Sequence, residues 1–96
     1  MTSKRVRRGT TTVLLTVRTA RVRRPPRFTA TRVRKLRNAL NLSQPAFAAS
    51  LCVGAATVKG WEQGNKRPSG AAARLLEFAE RHPRLLTEGL ILTHVD

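Results

Sequence analysis

Residues 42–64 read LSQPAFAASLCVGAATVKGWEQG, and the architecture turns on them. Ser43 sits where a helix N-cap belongs, and Pro45 falls in the first turn, where a missing N–H does no harm. Phe47, Ala48 and Leu51 then repeat as an apolar stripe, so the spacing predicts a short helix over residues 44–51. Cys52, Val53 and Gly54 interrupt it. Residues 55–63 resume a helical pattern with Val58 and Trp61 three apart, and Gly64 supplies the residue that ends a helix in the left-handed conformation. Helix, tight turn, helix is the expected result.

Outward from this centre the helical period continues. Val33, Leu36 and Leu40 fall on one face, with Arg32, Arg34, Lys35 and Arg37 largely on the others, which predicts an amphipathic helix over residues 30–40 stopped at Asn41. Downstream, Asn65-Lys66-Arg67-Pro68 makes a polar loop whose proline forbids continuation. Ser69 is expected to cap a helix over residues 70–81, with Ala72, Leu75, Leu76 and Ala79 facing the core and Arg74, Glu77 and Glu80 turned mostly away. Pro83 closes it, and Leu85, Leu86, Leu90 and Leu92 suffice for a weak fifth helix covering the core or a second subunit. The reading is all-α.

The charge is lopsided. Of 19 Lys and Arg, 13 lie in residues 1–37 with no acid among them, whereas residues 38–96 hold six basic and five acidic residues. A formal charge of +14 on 96 residues points to a polyanion partner, nucleic acid first. We divide the chain into a basic arm, residues 1–27, and a helical domain, residues 28–96, hinged at Pro25-Pro26. Within the arm, residues 10–17 are rich in Thr, Val and Leu and suit a short strand. A lone strand needs a partner, so it either pairs with its copy in a dimer or stays free.

The ordered string Leu42-Ser43-Gln44, Phe47-Ala48, Leu51, Val53, Thr57-Val58, Trp61-Glu62-Gln63-Gly64 and Arg67-Pro68-Ser69-Gly70 resembles the phage-repressor (Xre/Cro) type of helix-turn-helix. More narrowly it resembles the HigA-like and MqsA-like antitoxin regulators, over residues 32–86. The resemblance implies a compact four- to five-helix bundle, here with a basic, flexible or short-stranded N-terminal arm, and a homodimer on palindromic double-stranded DNA. It implies that residues 44–51 position and residues 55–63 read. The expected biology is a transcriptional repressor or autoregulating antitoxin of a toxin-antitoxin operon in the bacterial cytoplasm. A cognate toxin would be a further partner. Toxins of the related ribonuclease class are generally basic, so contact would fall on the neutral C-terminal half.

The expected DNA contacts are Ser43 and Gln44 at the start of the positioning helix, Ala55, Ala56, Thr57, Lys59 and Gly60 on the reading helix, Lys66 and Arg67 just past it, and Arg23, Arg24 and Arg27 in the arm. Ser43 is equally a plain N-cap, and the arm equally a solvated tail. Arg37 and Glu62 occupy the places of a structural bridge in this family, and Trp61 is expected in the core. The reading positions depart from the family, since Gly54, Ala55, Ala56 and Gly60 make no bidentate hydrogen bonds. Each such contact is worth roughly 1 to 3 kcal/mol of base discrimination. Specificity should therefore be weak, with Thr57 and Lys59 the polar groups that remain. Cys52 replaces the glycine or asparagine usual in the turn, where a left-handed conformation would be mildly strained.

Other classes fit less well. His82 and His94 are isolated, acids are few, and no phosphate loop, metal-ligand spacing or nucleophile-base pair appears, so neither an enzyme nor a cofactor is expected. One cysteine forms no internal disulfide, and no apolar run approaches the roughly 20 residues of a membrane span. The Arg- and Thr-rich opening also fits a transit peptide. Two functional alternatives stand: a sequence-blind nucleic-acid coat dominated by the arm, and a protein-interaction module built on residues 85–92.

Overall fold

The computed structural model describes residues 2–8, 11–17 and 19–90. A hairpin of β1 (Thr2–Arg8) and β2 (Thr11–Val17) precedes five helices: α1 (Ala30–Ala39), α2 (Gln44–Leu51), α3 (Ala55–Gln63), α4 (Ala71–Arg81) and α5 (Pro83–Thr87). The strands pair antiparallel with Val6 opposite Val13 and Arg8 opposite Thr11. Neither expected arrangement of the Thr- and Val-rich strand holds, since it pairs with the segment just before it in the same chain, which supplies the missing edge locally. Leu92 and His94 lie outside the described residues.

The helices form a small bundle of the helix-turn-helix type, and each boundary has a local cause. Thr29 Oγ1 accepts the Arg32 amide at 3.2 Å to start α1, and Ser43 Oγ accepts the Ala46 amide at 3.2 Å to start α2. Asn41 at φ 60°, Cys52 at φ 59° and Gly64 at φ 79° turn the chain out of α1, α2 and α3 in the left-handed region. Cys52 therefore carries the strain expected of it. One core gathers Val33, Leu36, Phe47, Leu51, Val58, Trp61, Leu76 and Leu86, with α1 and α2 packed on α3 and α4 packed on α1 and α5. Phe28, which the sequence reading passed over, is 1% exposed in that core.

Two expectations about α4 are corrected. Ser69 does not cap it. Gly70, at φ 57° and ψ −130°, intervenes in a conformation that a side chain disfavours, and α4 begins at Ala71 without a side-chain cap. The helix is also rotated from the expected face. Ala73, Leu76 and Ala79 point inward, Leu75 is 40% exposed, and Glu77, expected to face solvent, is buried. The small Ala73 and Ala79 leave room for that rotation. Arginines around Glu77 supply the countercharge that a buried carboxylate needs.

Candidate nucleic-acid interface

The inner face of α3 is fixed by Val58, Trp61 and Glu62, all buried, which leaves Ala55, Ala56, Lys59 and Gln63 exposed along the opposite side and Thr57 half-buried at its edge. Small side chains open this strip. Lys59 is its cation. Gly60, expected among the reading residues, lies inside instead: its carbonyl accepts the amides of Asn65 at 2.9 Å and Lys66 at 3.2 Å. A Cβ at Gly60 would sit 3.2 Å from the Lys66 side chain, so Gly60 lets the Lys66 stem fold back over α3.

Lys66 and Arg67 are exposed in the loop after α3. With Gly64 and Asn65 they line a depression of about 430 Å³ whose other wall is Phe28, Thr29 and Ala30. The segment that follows the basic arm and the basic loop after α3 therefore meet at one place. At the start of α2, Ser43 is exposed and spends its hydroxyl oxygen on the cap. Gln44 is half-buried rather than free in solvent, and its Nε2 donates to Glu62 Oε1 at 3.1 Å.

Glu62 joins the three helices of the site. Arg37 Nε donates to Glu62 Oε2 at 2.6 Å and Arg37 Nη2 to Oε1 at 2.9 Å, while Arg37 Nη1 donates to the Leu42 carbonyl at 2.9 Å. Arg34 Nη1 adds a bond to the Glu62 carbonyl at 3.1 Å. The expected bridge is present as a bidentate pair between α1 and the end of α3, with Gln44 tying α2 to the same carboxylate. The Arg37 guanidinium holds the Glu62 carboxyl below the ordinary carboxylate range, against the opposing effect of burial.

Among the arm residues, Arg21, Arg24 and Arg27 are exposed. Arg23 is engaged with the buried Glu77, which Arg74 Nη1 also reaches at 2.8 Å. Arg23, more than the other neighbours, holds the Glu77 carboxyl below its usual range. Arg32, placed by its spacing off the apolar face of α1, pairs with Glu80, which spacing alone did not indicate: its Nε and Nη2 each donate to Glu80 at 2.8 Å, and its guanidinium lies 4.6 Å from the Phe28 ring centroid. Glu62, Glu77, Glu80 and Glu88 each hold an arginine, so these acids are spent within the bundle. Outward-facing charge on the arm, α3 and the loop after it is therefore positive.

A helical bundle exposes a small-residue helix beside a basic loop, and the family relationship gives its class. Residues 4–89 match the family described as the antitoxin component of the bacterial toxin-antitoxin system, MqsA. The chain belongs to this antitoxin family. It is also 38% identical over 52 residues to Antitoxin HigA-2 of Vibrio cholerae serotype O1, a match covering 54% of this chain and 50% of that protein. The chain thus spans about half the length of the curated relative it matches.

Proposed function

We propose that this antitoxin binds double-stranded DNA as a homodimer on a palindromic operator, represses its own operon in the bacterial cytoplasm and pairs with a cognate toxin. The exposed strip Ala55, Ala56 and Lys59 on α3, held beside Lys66 and Arg67, carries the reading. A helix fits the roughly 12 Å major groove of B-DNA, and bare alanines let it approach closely enough to meet thymine methyls. Residues 28–96 form the docking body and residues 1–27 the arm, with Arg24 and Arg27 reaching flanking phosphates. Exposed Leu85 and Leu90 offer an apolar end for the second copy, and the nearly neutral half after residue 37 is the surface for a toxin. Its role is binding and regulation.

The test is competition between the DNA upstream of its own reading frame and random duplex. A preference above about 10³-fold that persists with salt supports an operator-specific regulator. Equal affinities would make it a nucleic-acid coat.

A further inference from the structure

The arm is not merely attached to the bundle. Its root is clamped by α4. Glu77 is 2% exposed, and its neighbours within α4 already satisfy it: Arg74 at 2.8 Å and Arg81 at 3.5 Å stand one turn before and one turn after. Folding of α4 does not require a third guanidinium. Yet Arg23, 54 residues away in the chain, donates Nη2 to the same carboxylate, and Arg74 Nη2 donates to the Arg23 backbone carbonyl. The second bond grips main chain, so it fixes the path of the segment and not only one side chain. Half-buried Pro25 and Pro26 and the buried Phe28 then carry the chain stiffly to α1. Phe28, which follows Arg27 in the chain, lines the depression with Lys66 and Arg67.

We infer that Glu77 and Arg74 form an anchor for the arm, with Arg23 as a positioning residue that presents Arg24 and Arg27 to duplex phosphates while itself contacting none. This rests on the DNA-binding reading above. The anchor lowers the ordering that the arm must undergo on binding, because its root is already fixed in the free protein. A phosphate-binding Arg23 predicts the opposite behaviour. Glu77 would then compete with DNA for the guanidinium, and neutralising it would strengthen binding.

The experiment uses the full chain with Arg23→Ala, Glu77→Gln and the double variant, and the operator duplex as probe. For R23A the anchor predicts trypsin cleavage after Arg21 about tenfold faster in the free protein, as expected when a segment loses its local protection. Melting of the helical body should shift by no more than about 2 °C, since Glu77 keeps Arg74 and Arg81. Duplex affinity should fall about 3- to 10-fold through the added ordering of the arm, at an unchanged salt slope. E77Q should also weaken binding, and the double variant should fall no further than the weaker single.

A rise in affinity for E77Q, or a salt slope reduced by about one in R23A, would assign Arg23 to a phosphate and overturn the anchor. Unchanged cleavage would overturn it too. If the unmodified chain held no duplex at all, the DNA reading would fall and with it the presentation of Arg24 and Arg27. The cleavage rates report the anchor separately.

Discussion

Raising salt from 50 to 200 mM should weaken duplex binding about 10³- to 10⁵-fold, the range for a protein that neutralises about 6 to 10 phosphates. The magnitude follows from where the charge lies. Arg23, Arg32 and Arg37 are matched by carboxylates within the bundle, whereas Arg24, Arg27, Lys59, Lys66 and Arg67 are exposed. A dimer doubles that number, enough to reach the expected count. Base edges contribute little to offset the salt effect, since alanines on α3 offer no bidentate hydrogen bonds. Binding isotherms at four salt concentrations give the slope. A loss of less than tenfold would mean that these cations face something other than phosphate.

Glu62→Ala should lower folding stability by about 3 to 5 kcal/mol, because it leaves Arg37 largely buried without its carboxylate. Against a total of about 5 to 15 kcal/mol for a small domain, that is a large share. Urea unfolding measures it, and the Arg37→Ala, Glu62→Ala double variant should lose less than the sum of the singles. Acid has the same target. Glu62 has a folded pKa held below its ordinary 4.5, first by the Arg37 hydrogen bond, so its stabilisation is complete above that value and is lost as pH falls through the lower folded one. Glu77 acts in the same direction through Arg23. In Glu62→Gln the Glu62 share of this acid-side loss should vanish. A destabilisation below about 1 kcal/mol for Glu62→Ala would show that the pair does not hold α1 to α3.

The two central helices were legible because their ends are written locally. Ser43, Pro45, the Cys52 to Gly54 break and Gly64 mark boundaries within a few residues of the groups they satisfy, and α2 and α3 fall on the expected spans. Glu77 was illegible for the opposite reason. Its place on α4 follows a solvent-facing pattern, and its burial rests on a cluster of arginines that includes Arg23, 54 residues away, as well as Arg74 and Arg81 on α4 itself. Phe28 stands among arginines and prolines with no period to mark it as core. Strand β1, TSKRVRR, shows little apolar alternation and becomes readable only through its register with β2. In the site, the exposed strip of α3 was anticipated. The inward turn of Gln44 and the covering of Gly60 by Lys66 depend on packing between elements, which spacing along one helix does not report.

The docking of α3 is tested most directly by Ala56→Glu. Ala56 is exposed in the first turn of α3, where an acidic side chain meets free backbone N–H groups and the positive end of the helix dipole, so the fold should be unharmed or slightly stabilised. In a major groove the same carboxylate would be driven against bases and phosphates. Measured together, the melting temperature should hold or rise while operator affinity falls at least about 100-fold, the scale of an unpaired like charge at an interface. A folded Ala56→Glu protein that binds the operator as tightly as the parent would contradict the account.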